Sequence, residues 1–355
     1  MKTIHDYIKE YGKYTFLEKE FNEVDNVILS LLSYVDFNKI VPGIGDGKIT
    51  LEEASRMFYM MNTKKEIDYN ITSVRNASHL LGELAESIRF KDLLLYNYEY
   101  KVTFDMQFGA LCIKLPDKSV YISFEGTDGY VSGWKEDFMF TYQFPTSAQI
   151  YARDYLNMVV GFFSPKVYVG GHSKGGNLAI VSSMYCKKRV YHKIKKIYNN
   201  DGPGLRKEEF SSKQYNKIRE KLHTLVPRES FIGMLLHNHD DYFVVDSKNK
   251  KFLQHDALSW IVEGDHFKKT ELSSFSKKMK EGILKWLDNH DDKQKEKFTN
   301  ALFSILAKAE IHDLSEIKKA KLNSIIKIIK ETKNLDKKTR DMLHKGFKDL
   351  IEELK

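Results

Sequence analysis

Residues 166–186 read KVYVGGHSKGGNLAIVSSMYC, an apolar run that ends in glycines around a single serine and then takes up a helical pattern. This stretch limits the fold more than any other. Val167, Tyr168 and Val169 read as a buried strand and residues 177–186 as a helix, so the chain must turn sharply within Gly171-His172-Ser173-Lys174-Gly175. A turn that tight forces strained backbone angles on the serine and needs small neighbours, which Gly171, Gly175 and Gly176 supply. It lifts the hydroxyl to the C-terminal edge of a sheet and points it at solvent, beside a helix N-terminus that favours an anion. The pattern is that of a nucleophile elbow. An ordinary glycine-rich strand–helix turn is the alternative.

The surroundings suit a sheet. Residues 101–268 carry short β-rich runs (FGALCIKL, SVYISFEG, KVYVGG, KIYNND, KLHTLVP, YFVVDS) with helical patterns between them, including residues 147–163. Strands alternating with helices predict an α/β fold with a mostly parallel sheet flanked by helices. The first pair predicts a hairpin turning at Pro116-Asp117-Lys118. Residues 1–100 read as mostly helical, with Thr50 and Glu53 as a capping pair. From about residue 271 the pattern is helical only, in four amphipathic segments at 272–289, 291–310, 314–333 and 336–354. The expected division is an α/β domain over 1–268, including the N-terminal helices, and a C-terminal helical extension over 269–355.

A serine hydroxyl needs a base, and the base needs an orienting acid; in this fold they follow in the order serine, acid, histidine. Among the downstream histidines, His192 lies in a basic turn, His223 inside a strand, and His237 and His239 in a loop. His255, after the last β-like run and before a helical pattern, is the expected base, with His266 in reserve. Two acids compete. Asp201 closes KKIYNND just before Gly202-Pro203-Gly204, and Glu229 follows the next strand. Asp201 is favoured, with Glu229 as the alternative. An oxyanion hole needs the N–H after the nucleophile, here Lys174, and one from the loop after an earlier strand, here Thr127.

Phe124-Glu125-Gly126-Thr127 followed by Trp134-Lys135-Glu136-Asp137 resembles the F-R-G-T/S and W-x-x-D pair of class 3 (fungal-type) lipases, and Gly171 to Gly176 resembles their G-H-S-L-G-G elbow. With NNDGPG, QHDALSW and an N-terminal DYI…NEVD stretch, the chain over roughly residues 1–265 is similar to a bacterial family related to those lipases. The resemblance implies an α/β-hydrolase fold with Ser173 as nucleophile, His255 as base and Thr127 in the oxyanion hole. The chain departs from the lipase pattern at Glu125, at Lys174, and at Pro227-Arg228-Glu229-Ser230, where those lipases carry the acid in N-D-x-V-P.

These residues predict a serine hydrolase acting on a carboxylic ester (lipid esters included) or thioester through an acyl-enzyme, with no metal or organic cofactor. The aromatic stretches 138–144 and 231–236 are candidates for an acyl pocket or lid. The other expectation is a non-catalytic hydrolase-like scaffold that uses the C-terminal helices for interaction. GDGKITLEEA (45–54) echoes half of a calcium loop, but with Gly47 at the sixth position, Pro42 and Ile44 fall where side-chain oxygens are needed, so it reads as loop and helix. Cys112 and Cys186 stand apart and predict buried small hydrophobes rather than a disulfide or zinc site. The net charge of +8 comes from lysines interleaved with glutamates, which does not argue for nucleic acid; the basic helices would suit peripheral contact with an anionic membrane. The first residues lack an apolar core of signal length, and a cytoplasmic protein is expected.

Overall fold

The computed structural model describes residues 1–103, 106–127, 131–238 and 242–308. The last two predicted amphipathic segments, and His239, lie outside these residues.

The N-terminal part is helical: α1 (Ile4–Tyr11), α2 (Glu23–Leu31), α3 (Leu51–Met61), α4 (Lys64–Tyr69) and α5 (Thr72–Ala85). Asn22 caps α2 by accepting from the Val24 and Asp25 amides, and Thr50 caps α3 by accepting from Glu53 N at 3.1 Å. The 45–54 stretch is thus a loop, with Gly45 and Gly47 at positive φ, leading through the short strand β1 (Ile49–Thr50) into α3.

The sheet then runs β2 (Leu94–Val102), β3 (Gln107–Lys114), β4 (Val120–Phe124), β5 (Val167–His172), β6 (Ile194–Asn200), β7 (Leu222–Pro227) and β8 (Tyr242–Val245). All eight strands lie side by side in chain order. β1 to β4 pair antiparallel, and β4 to β8 pair parallel. The β3–β4 hairpin turns where the sequence predicts, with Lys118 at φ 69°. Strand β2 departs from expectation; it begins inside the part that reads as helical. Its position near the sheet's edge and its half-exposed pattern dilute the alternation that marks a strand.

Alternation along the strands sorts the core into two layers. Ala110, Cys112, Ile122 and Phe124 face one side, with α7 (Ser147–Val159), α8 (Lys174–Tyr185) and α11 (Lys213–Ile218). Leu111, Ile113 and Tyr121 face the other, with α1, α2 and α5. Strands that follow chain order, joined by crossovers of one hand, place the crossover helices on one face. The opposite face is left to the N-terminal helices, which therefore complete the sheet's core. A mostly parallel sheet covered on both faces, with a sharp strand–helix turn after β5, is the α/β-hydrolase fold.

Short helices α9 (Lys188–Tyr191) and α10 (Lys207–Phe210) complete the crossovers, and a small ribbon, β9 (Val262–Glu263) with β10 (His266–Phe267), follows the sheet. Of the C-terminal region, α12 (Ser274–Asp288) and α13 (Asp292–Lys308) are described. Met279, Ile283 and Leu287 of α12 pack on Phe140 and Leu236. Phe298 and Ala301 of α13 pack with Phe138, which lies on α6 (Val131–Met139).

Candidate active site

Ser173 stands between β5 and α8 with φ 56° and ψ −131°, a conformation strained for any residue with a side chain. The turn closes because β5, α8 and the end of β4 approach backbone to backbone. A Cβ on Gly171 would collide with the Gly175 backbone and the Phe124 carbonyl, and one on Gly175 would collide with that same carbonyl. The Ser173 amide donates to Asn200 O at 3.0 Å, tying the turn to β6.

His255 Nε2 lies 3.0 Å from Ser173 Oγ, and His255 Nδ1 lies 2.7 Å from Asp201 Oδ2. Asp201 is fully buried at the end of β6 at φ 52°, and its other oxygen accepts from Ser230 Oγ at 2.5 Å and from Gly233 N at 3.1 Å. A proton on Nδ1, held by Asp201, leaves Nε2 free to accept from the serine. Ser173 is only 2 % exposed, so its hydroxyl points at His255 rather than at open solvent as expected from the turn alone. The histidine keeps 25 % of its side-chain surface. His255 also differs from expectation in its setting: it ends a 3-10 turn, Lys251–His255, and a second such turn, Ala257–Ser259, replaces the predicted helix.

Glu229 is placed elsewhere. Its carboxylate accepts from Lys251 N at 2.6 Å and Gln254 Nε2 at 3.1 Å, so it braces the loop that carries His255 and does not bond the imidazole. His266 pairs with its neighbour Asp265 at the surface, and His223 lies 3.4 Å from Glu23.

Three groups escape a reading of the sequence. His172 Nε2 lies 2.9 Å from the His255 carbonyl and must donate to it; Nδ1 then accepts from Tyr34 Oη at 3.0 Å. Burial holds His172 well below the usual imidazole range, and the adjacent His255 adds to this, so His172 stays neutral. The third is Asn200: Nδ2 donates to Ser30 Oγ at 2.9 Å, and Asn26 Nδ2 donates to Asn200 Oδ1 at 2.8 Å. The N-terminal helices thus brace both the residue before Ser173 and the residue before Asp201. Nothing in residue spacing could signal contacts across so much chain.

Thr127 Oγ1 donates to Asp137 Oδ2 at 2.7 Å, and Asp137 is buried on α6. Burial pushes its carboxyl up to about 7, although Lys174 pulls the other way. The Lys174 side chain is fully buried, with Nζ 3.0 Å from Glu136 Oε2, 2.8 Å from Gln107 O and 2.7 Å from Gln107 Oε1. Burial alone would lower the Lys174 ammonium, but Glu136 and Asp137 outweigh it and the net shift is upward, so the charge stays. As the first residue of α8, Lys174 also has an amide with no acceptor inside its own helix. The side chain that replaces the lipases' apolar residue thus knits α8 to α6 and β3.

Of the aromatic stretches, 231–236 is core in the main, while in 138–144 Phe140 alone is buried and the others are partly exposed. Phe140 packs with α12, while Ile232, Met234 and Leu236 are buried. Cys112 and Cys186 are buried and free, and burial pushes both thiols up to about 11. Among the described residues no cluster of three His, Cys, Asp or Glu side chains could hold a metal, and no helix is long and apolar enough to cross a membrane.

No curated protein matches the chain. Among solved structures it is similar to M37 lipase, at 13 % identity over 58 % of this chain and 67 % of that one, with a TM-score of 0.36. The Mbeg1-like family matches residues 84–304, from the end of α5 into α13, a span that holds Thr127, Ser173, Asp201 and His255. The chain belongs to the Mbeg1-like family.

Proposed function

We propose that this protein is a serine hydrolase that cleaves a carboxylic ester or thioester through an acyl-enzyme. The continuous hydrogen-bonded series from Ser173 Oγ through His255 to the buried Asp201 carries this reading. The lipase-like relation of the family supports it. Ser173 Oγ attacks the substrate carbonyl carbon while His255 Nε2 takes its proton. Asp201 holds the imidazole in the right tautomer and stabilises the imidazolium. The amides of Thr127 and Lys174 bind the oxyanion, and Asp137 fixes the Thr127 hydroxyl beside it. Collapse of the tetrahedral intermediate breaks the bond to the leaving oxygen or sulfur, which takes the proton from His255. Water, deprotonated by His255, then attacks the acyl group; the second collapse frees the acid and restores Ser173.

Labelling with a fluorophosphonate tests this on the intact protein, on Ser173→Ala and on His255→Ala. Labelling of the intact protein that is lost in both variants is the expected result. A folded intact protein that takes no label would instead favour a hydrolase-like scaffold, in keeping with how little of Ser173 is exposed.

A further inference from the structure

The edge of the sheet opposite Ser173 carries a feature that hydrolysis does not use. Between α7 and β5 the chain makes a turn, Gly161-Phe162-Phe163-Ser164, closed by Ser164 N donating to Gly161 O at 3.3 Å and Gly161 N donating to Ser164 Oγ at 2.8 Å. Phe162 is 73 % exposed and Phe163 95 % exposed. They touch each other edge to face, with centroids 5.1 Å apart. Single exposed apolar residues are ordinary, but two adjacent phenylalanines at the tip of a closed turn are not.

The ground around them is basic. The strands β4 to β7 are parallel, so the segments preceding them share one edge. Contacts tie those segments together: Lys187 N donates to Asn157 Oδ1 at 2.8 Å, Lys166 Nζ to His192 O at 2.9 Å, and Val167 N to Lys193 O at 2.9 Å. Lys166, Lys187, Lys188 and Arg189 are exposed along this edge. Lys221 feels the crowding: burial lowers its ammonium, and Lys166 and Lys217 lower it further. Of the acids on this edge, Asp154 pairs with Arg153 at 2.8 Å and Asp117 with Lys195 at 3.7 Å, while Glu220, next to Lys221, is exposed.

We propose that this edge docks the protein on an anionic lipid bilayer, with Phe162 and Phe163 entering the acyl boundary and the surrounding Lys and Arg side chains meeting the headgroups. Apolar tips flanked by cations are what such a surface attracts, through buried apolar area and through its negative potential. A nucleic acid would use the same cations, but a closed turn with both rings projecting supplies insertion rather than a track for a phosphate backbone. The docked protein holds Ser173 at the far end of β5, about 20 Å from the membrane at the usual rise per strand residue. The site would then face away from the supporting bilayer.

The test is co-sedimentation of the full chain with phosphatidylcholine vesicles, with and without phosphatidylglycerol. The expected result is binding only to the anionic vesicles. It should weaken about tenfold or more both in Phe162→Ser/Phe163→Ser and in Lys187→Glu/Lys188→Glu, since buried apolar area and charge each contribute. Fluorophosphonate labelling of Ser173, or the melting temperature if no label is taken, shows that the variants remain folded. In Phe163→Trp, the emission gained over the intact protein should move to the blue when anionic vesicles are added. Binding unchanged in the Phe162→Ser/Phe163→Ser variant would overturn the proposal, as it would place the contact elsewhere on the chain. So would a gained emission in Phe163→Trp that is already blue before vesicles are added. A single-stranded RNA oligonucleotide that binds the intact protein while the vesicles do not would overturn it as well.

Discussion

Asp201 shows how much a single residue depends on its neighbours here. Its two oxygens take one bond each from His255 and Ser230 and a third from Gly233, so its orientation is fixed from three sides. Asp201→Asn, offering an amide where Nδ1 needs an acceptor, is expected to lower kcat by on the order of 10⁴ with the fold intact. Hydrolysis of a p-nitrophenyl ester, beside a circular dichroism spectrum, checks this. Ser230→Ala is expected to lower kcat by roughly tenfold to a hundredfold, since hydrogen bonds to charged groups contribute about 1.5–3 kcal/mol. Asp137 makes a pH-dependent prediction. Its carboxyl loses its proton near the ordinary value of 3.8 when unfolded but near 7 when folded. Between those values the folded state holds more protons, so this group's contribution to stability falls as pH rises through the window and levels off above it. The full difference is on the order of 4 kcal/mol. Asp137→Asn removes the titration, so the variant should gain stability relative to the parent between pH 5 and pH 8 in urea unfolding. A stability difference that stays constant across that range would refute the burial argument.

Among the elements, the contact of α6 with α8 rests on charge in a place without water. Lys174 has three acceptors and Glu136 is its ion-pair partner, both buried. Lys174→Met is expected to destabilise the protein by about 3–5 kcal/mol, because it strands the Glu136 and Asp137 carboxyls without a cation. Adding Glu136→Gln should recover part of that loss, and a thermal or denaturant melt of the three variants reads it. The parallel strands β5 and β6 are legible because short apolar runs bounded by glycine and aspartate leave a clear mark in sequence. The turn after β5 is legible because the small residues it needs are rare enough in a row to be noticed. Strand β2 is not, since a strand near the edge with a half-exposed face alternates weakly. The setting of His255 misleads for a related reason: LQHDALSW has helical spacing, yet Asp256 uses its side chain to cap the second 3-10 turn, accepting from the Leu258 amide at 3.2 Å.

At the scale of the whole molecule, the N-terminal helices belong to the hydrolase core. Arg89 and Asp25 form a fully buried pair, with Arg89 Nε 2.8 Å from Asp25 Oδ1 and further bonds from Arg89 to the carbonyls of Lys19 and Glu20. Arg89→Met, leaving a buried carboxylate uncompensated, is expected to cost about 3–5 kcal/mol and to loosen α2, which braces Asn200. Activity should then fall at temperatures below the melting point of the parent, which a temperature series of ester hydrolysis would reveal. The sequence by itself determined the α/β architecture and the strained turn at Ser173, because periodicity and glycine placement act over a few residues and are written locally. It also narrowed the histidine and the carboxylate that could act with Ser173 to a few candidates, by fixing which strand ends could present them. Only the tertiary structure decided which residues meet: Asp201 beside His255, Glu229 bonded to the loop that carries it, Tyr34 and Asn26 at the ends of β5 and β6. Those contacts join residues far apart in the chain, and their partners are chosen by how two core layers close on one sheet, which no local pattern encodes.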